Sequence, residues 1–242
     1  MIVSYGTDKG LVRSNNQDSV FVKQYSDKCG LFVVADGMGG HRGGKTASSY
    51  AVEIIGKTLD EQIRNNLTPN EIKKLMITSV EKANTFIFDK ANSDAELNGM
   101  GTTVVCMYIT DNMLYTASVG DSRGYVLKGN RVYQITNDHS LVAGLVSKGL
   151  LSPDEAKTHP QKNVITRAVG TEINVLVDFF ETALDKDDLV VACTDGLHTL
   201  VDEGEICTIS CSCPEDSAQN LIKLANEKGG NDNISVIVVK IS

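Results

Sequence analysis

No run of 18 apolar residues occurs anywhere in the 242-residue chain, so no membrane-spanning helix and no membrane partner are expected. The opening MIVSYGTDKG lacks a basic stretch followed by an apolar one, and no secretory signal is expected from it. Lysine and arginine are in deficit, 23 against 31 aspartates and glutamates, for a net charge of −8. Such an acidic chain is poorly suited to nucleic acid, whose phosphates reward clustered basic residues. Low-complexity linkers and internal repeats are also missing. The six cysteines, Cys29, Cys106, Cys193, Cys207, Cys211 and Cys213, come with no export signal and read as reduced thiols of a cytoplasmic protein. What is present is ordinary globular composition, 41% hydrophobic and 22% charged, in a chain long enough to bury a substantial core.

Periodicity predicts strands, then two long helices, then more strands. Ile2–Thr7, Ser19–Tyr25 and Gly30–Ala35 read as strands. A helix is predicted from Thr46 to about Asn65, with Ala47, Tyr50, Ala51 and Ile54 on one face. Thr68-Pro69-Asn70-Glu71 opens a second, with a capping Thr, Pro at the first helical position and Glu three residues after the cap. Thr102–Thr110 and Met113–Val119 form a hairpin across Asp111-Asn112, and Tyr125–Lys128 and Arg131–Ile135 another across Gly129-Asn130. Ser152-Pro153-Asp154-Glu155 starts a further helix. Val175–Thr182 and Leu189–Thr194 read as strands, Pro214–Glu227 as a helix ended by Gly229-Gly230, and Ile234–Ile241 as the last strand. Successive hairpins with segregated helices indicate an α+β protein of antiparallel sheets covered by helices, not a parallel wind.

Three apolar strands run into an aspartate. Leu31–Ala35 meets Asp36-Gly37, Leu189–Thr194 meets Asp195-Gly196, and Ala117–Gly120 meets Asp121-Ser122-Arg123. Asp232, in Gly229-Gly230-Asn231-Asp232-Asn233, precedes the final strand. One such Asp is an ordinary turn residue. Carboxylates gathered at the mouths of core strands would repel one another unless cations sat between them, and oxygen-only ligation suits Mg²⁺ or Mn²⁺. Spacing alone does not bring the four together.

Arg13-Ser14-Asn15-Asn16-Gln17-Asp18, Asp36-Gly37-Met38-Gly39-Gly40-His41, Gly101-Thr102-Thr103, Val119–Arg123, Asp138-His139-Ser140, Thr166–Gly170, Thr194–Leu197 and Asn231-Asp232-Asn233 occur in that order. The ordered set resembles the metal-dependent protein Ser/Thr phosphatases (PPM, or type 2C) in their bacterial form. The resemblance implies one catalytic domain over residues 1–242, a four-layer αββα sandwich of two antiparallel sheets flanked by helix pairs. It implies two or three Mn²⁺ or Mg²⁺ ions at one end. Asp36 matches the carboxylate bridging two metals, the Gly37 carbonyl a ligand of one, and Asp195 and Asp232 ligands of the other. Asp121 with Asp195 matches a third metal site. Arg13 matches the phosphate-binding arginine, and Asp18 lies beside the metals and orients their waters. The implied nucleophile is a water shared by two ions, and the implied substrates are phosphorylated proteins, shared with an opposing Ser/Thr kinase of the same cell. A monomer is expected. Met38 stands where relatives from nucleated cells carry a histidine, so the proton donor to the leaving group is either a metal-bound water or His41. Lys45 stands where many bacterial relatives have Glu. Residues about 140–163, with Gly144, Gly149 and two prolines, match a flap beside the site.

Two other functions compete. Gly39–Thr46 satisfies G-x-x-x-x-G-K-[ST] after an apolar strand, the pattern of a P-loop NTPase, but Asp36-Gly37-Met38 intervene and the hairpins argue against a parallel sheet. A phosphatase-like fold with a purely sensing role is the other, and it would be expected to lack the metal carboxylates or Arg13. Cysteine phosphatases are excluded, since no cysteine has an arginine six positions later. Cys207-x3-Cys211-x-Cys213, with His198 nearby, departs from paired zinc-ligand spacing and reads as free thiols in a surface helix and turn.

Overall fold

The computed structural model describes residues 1–63 and 67–242, apart from the side chain of His41. The strands are β1 (Ile2–Asp8), β2 (Ser19–Ser26), β3 (Cys29–Ala35), β4 (Gly37–Met38), β5 (Gly101–Thr102), β6 (Val104–Thr110), β7 (Met113–Val119), β8 (Arg123–Lys128), β9 (Arg131–Gln134), β10 (Asp178–Ala183), β11 (Leu189–Cys193) and β12 (Ile234–Lys240). The helices are α1 (Gly40–Gln62), α2 (Pro69–Ser93), α3 (Leu141–Ser147), α4 (Pro153–Thr158), α5 (Asp195–His198), α6 (Glu203–Ser212) and α7 (Ser217–Glu227).

Two five-stranded antiparallel sheets stack, one in the order β1-β12-β11-β8-β9 and the other β10-β7-β6-β3-β2. Alternation explains why their strands are apolar throughout. Phe32, Val34, Val105, Met107, Val190, Ala192, Ile237 and Val239 fill the space between the sheets. Their neighbours Leu31, Val33, Val104 and Cys106 face α1 and α2, and Val191, Cys193, Val236 and Val238 face α5 to α7. Both faces of each central strand are therefore covered, and the expected αββα layering is present.

Topology settles which strand ends share a side. β3 and β7 each pair antiparallel with β6, so both end at the same edge of their sheet. Ser19 at the start of β2 faces Ala35, which brings Asp18 to that edge. In the other sheet Cys193 pairs with Val236 and Asp8 with Ile234, so the ends of β11 and β1 meet the start of β12.

Some boundaries differ from expectation. Helix α1 starts at Gly40 rather than Thr46, and its expected end near Asn65 lies outside the described residues. The early start depends on Gly43 and Gly44: a Cβ on Gly43 would sit 3.0 Å from Met100, and one on Gly44 only 2.6 Å from the Gly37 carbonyl. The strand expected from Val175 starts at Asp178, because Val175 and Val177 pack into the helix-side core without joining the ladder. The last helix starts at Ser217, after a turn in which the Ser217 hydroxyl donates to the Pro214 carbonyl. Helix α6 is the surface helix read around Cys207 and Cys211; a capping box of Asp202 and Glu205 starts it.

Candidate active site

The aspartates that end the strands meet at one end of the sandwich. Asp36 follows β3, and its backbone is fixed on both sides: its N–H donates to Thr103 Oγ1 (3.0 Å), and its carbonyl accepts from Thr103 N (2.9 Å) and Thr102 Oγ1 (2.8 Å). Asp195 opens α5, where Gly196 is required: a Cβ there would lie 2.0 Å from the Asn233 carbonyl. Asn233 in turn anchors the loop after β1. Its Nδ2 donates to the carbonyls of Lys9 and Asn15 (2.9 Å each), and its Oδ1 accepts from Gln17 N (2.8 Å). Asp18 is buried, with Oδ2 accepting from Thr194 Oγ1 at 2.8 Å. Asp232 holds Arg13 in a 2.6 Å ion pair.

Mutual repulsion marks the group. Burial, and then the charges of Asp18, Asp195, Asp121 and Asp232, push the Asp36 carboxyl well above the usual range. Burial raises Asp18 to about 7, with Asp195 and Asp232 adding to it, and raises Asp121 to about 7, with Asp195 adding to it. Asp195 is also raised, by burial and then by Asp232. Arg13 is raised by its hydrogen bond to Asp232, and it also senses Asp195 and Asp36.

Three carboxylate oxygens, Asp18 Oδ1, Asp121 Oδ1 and Asp195 Oδ1, are buried with no hydrogen-bond partner. Such oxygens are costly unless something positive or donating meets them. Among the described residues no three His, Cys, Asp or Glu side chains already converge as a ligand shell. Asp232 is turned to Arg13 instead, and the Gly37 carbonyl packs toward Gly44. The donor set is hard oxygen and short of positive charge, which fits divalent Mg²⁺ or Mn²⁺.

The structure also gives two histidines a contact that the sequence reading did not assign them. His198, three residues after Asp195 on α5, donates Nε2–H to the Asp121 carbonyl at 3.1 Å. Burial pushes its imidazole down to about 3, so it is neutral and serves as a fixed donor. His139 Nδ1 accepts from Gly120 N at 3.0 Å, so the same turn is held from its other side. The i, i+3 spacing of Asp195 and His198 was the available signal for the first.

A family profile described as protein phosphatase 2C matches residues 6–221. The chain belongs to the protein phosphatase 2C family. It is 39% identical over 242 residues to a serine/threonine phosphatase stp of Listeria innocua, covering 99% of this chain and 96% of that one. The structure of the Streptococcus agalactiae serine/threonine phosphatase superposes with a TM-score of 0.92 at 37% identity, with 99% of both chains covered. The catalytic domain of the serine threonine protein phosphatase PstP, in complex with 2 manganese ions, superposes at 0.86 with 30% identity over 99% of this chain and 98% of that one.

Family membership and local structure together remove the P-loop reading. In this phosphatase 2C chain Gly40–Thr46 is helix, not a loop cradling phosphates. Lys45 Nζ donates to the Asp18 carbonyl (2.8 Å) and Ser19 Oγ (3.2 Å), and so supports the acidic loop from behind. His41 lies in the first turn of α1, and its side chain is outside the described set. Cys207 and Cys211 lie on α6 with their sulfurs 4.0 Å apart and unbonded, and no zinc cluster exists among the described residues.

Proposed function

We propose that the chain is a metal-dependent protein serine/threonine phosphatase whose site is built from Arg13, Asp18, Asp36, the Gly37 carbonyl, Asp121, Asp195 and Asp232. The observation that carries this reading is the set of three unpartnered buried carboxylate oxygens beside Arg13. Asp36, Asp195, Asp232 and the Gly37 carbonyl would hold two divalent cations, and Asp121 with Asp195 a third. Cations bound there supply Lewis acidity toward the phosphoryl oxygens and lower the pKa of water near neutral pH.

The protein's own groups do the rest. Among the described residues Arg13 spends only Nη2 on Asp232, which leaves Nε and Nη1 for a phosphate. As the phosphoryl group gains negative charge, that planar fork offsets it. Asp18 Oδ1 accepts from a water and orients it while Thr194 fixes the other oxygen. The leaving alkoxide takes its proton from water or from His41. All of residues 1–242 act as one catalytic domain, with about 140–163 as a flap. Its base is closed where Ser140 bridges to Ile165 and Leu141 N donates to the Val164 carbonyl. We assign it a monomeric, cytoplasmic role in which its thiols stay reduced, opposed by a Ser/Thr kinase. No described helix is long and apolar enough to cross a membrane.

The test is phosphate release from a phosphothreonine peptide with Mn²⁺ and with chelator. Release that requires the cation is expected. Cation-independent release, or none together with tight ATP–Mg²⁺ binding, would overturn the reading.

A further inference from the structure

A concave feature lies close in the chain to Arg13. It is a groove of about 540 Å³ between the end of β1 and α7, lined by Gly6, Asp8, Leu11, Ile222, Lys223 and Asn226 among others. Ile222 lies directly over Gly6, where a Cβ would come within 2.7 Å of Ile222 Cδ1, so strand and helix close tightly and form an apolar floor. Asp8 does not offer a free charge: its Oδ1 accepts from Gly10 N (2.8 Å) and Asn226 Nδ2 (3.1 Å). Leu11 is 69% exposed and Val12 67%, yet their backbone is held. Both N–H groups donate to the Gly230 carbonyl, at 2.8 and 3.2 Å. Gly10, at φ +77°, packs so closely on the loop opposite that a Cβ would lie 2.2 Å from the Asp232 carbonyl. An apolar side chain displayed on a rigid backbone beside an apolar cavity is a surface waiting for contact.

What occupies it follows from continuity. Leu11, which lines the groove, belongs to the loop that carries Arg13, and that loop is bonded to the loop of Gly230 and Asp232: Leu11 N donates to the Gly230 carbonyl, and Arg13 pairs with Asp232 at 2.6 Å. Leu11 is two residues from Arg13, a span of at most about 7 Å of chain. A peptide whose phosphate sits on Arg13 can therefore lay one of its two flanks over this groove. We infer that the groove between β1 and α7 docks the substrate segment flanking the phosphorylated Ser or Thr, seating one apolar side chain, two or three residues from the phosphate, on Leu11 and Ile222. The inference rests on the phosphatase reading and adds a specificity determinant apart from the flap. Its ligand is an extended phosphopeptide with an apolar residue near the phosphorylated one.

The experiment uses the full chain with Mn²⁺ and phosphothreonine peptides identical except for Leu or Ser at positions two and three on either side. On one side kcat/KM should favour Leu by about tenfold, the discrimination a small apolar pocket achieves. In Leu11→Ser, an exposed position where folding is unaffected by near-UV circular dichroism, the ratio should fall to about one. Ile222→Ser should do the same. Equal rates for all peptides, or a preference that survives Leu11→Ser, would overturn the docking site while leaving the phosphatase intact. No cation-dependent hydrolysis of any peptide would remove the phosphatase reading, and this inference with it.

Discussion

Replacing Asp121 with asparagine should stabilise the cation-free protein. Burial and Asp195 raise the Asp121 carboxyl from 3.8 to about 7, so the folded state binds a proton more readily than the unfolded chain does. The sign follows from linkage: the penalty is absent below about pH 3.8, grows as pH rises, and is complete above about 7. Roughly three pK units at 1.36 kcal/mol each give an upper limit of about 4 kcal/mol at pH 8. If relaxation halves this, a gain of about 2 kcal/mol raises Tm by about 4–8 °C in a chain of this size. At pH 5 only about a third of the penalty has developed, and the gap should shrink accordingly. Scanning calorimetry in EDTA at both pH values reads this directly. Mn²⁺ should then reverse the order at pH 8. Each site filled at a hundred times its Kd adds about 2.7 kcal/mol to the wild type, and the variant, with one carboxylate fewer, gains less. A cation-free Asp121→Asn less stable than wild type at pH 8, or a gap equal at pH 5 and pH 8, would refute the claim that these carboxylates strain one another.

Asp36→Asn and Asp195→Asn should each lower Mn²⁺-dependent phosphate release by about a thousandfold, the scale of losing a principal electrostatic group, with unchanged far-UV circular dichroism; near-normal turnover in either would refute the site assignment. Arg13→Ala should raise KM for a phosphopeptide by at least about tenfold, since a charge-assisted fork is lost; an unchanged KM counts against its role. His198→Leu should weaken the third Mn²⁺ site in titration calorimetry, because the Asp121 carbonyl loses its donor, while His198→Gln keeps a donor and retains affinity; equal weakening in both would mean His198 only fills space. Gly44→Ala forces a Cβ to within 2.6 Å of the Gly37 carbonyl, and should lower Tm by about 3–10 °C for an overpacking cost of about 1–3 kcal/mol.

Much of this site could be read in the linear chain because its physics is local. An apolar strand that stops in Asp-Gly announces a buried β-strand and a carboxylate at its mouth, and Asp36 and Asp195 sit where that pattern puts them. The hairpin across Asp111 and Asn112 was equally legible, as both adopt positive φ, 49° and 63°. The start of α1 was hidden, because Gly40–Gly44 has loop propensity and its glycines are called for only where Gly43 meets Met100 and Gly44 meets Gly37. His198 was hidden for a related reason: a lone histidine on a four-residue helix shows its task only once Asp121 arrives from the other sheet. Helix α6 was legible as a surface helix carrying the cysteines, though not its start, which the Asp202-x-x-Glu205 capping box marks.

The convergence itself was the step that spacing could not supply, and antiparallel pairing is what supplies it. Two strands flanking a common neighbour must end on the same edge, so β3 and β7 deliver Asp36 and Asp121 together whatever their separation in the chain. The β11–β12 pair does the same for Asp195 and Asp232, one leaving a strand and the other entering its partner. Stacking the sheets then confronts the two acidic pairs, and apart from Thr194 on the Asp18 carboxylate the polar devices named here act on backbone rather than on charge: Thr102 and Thr103 on Asp36, His198 and His139 on the turn at Asp121, Asn233 on the loop before Asp18, and Lys45 on the Asp18 carbonyl. Among the described residues only Arg13 pairs directly with a carboxylate of the set, and it is half exposed. A pocket that fixes its acids so firmly, yet leaves three of their oxygens unpartnered, should gain stability from added Mn²⁺, and a Tm in Mn²⁺ no higher than in EDTA would refute the proposed site.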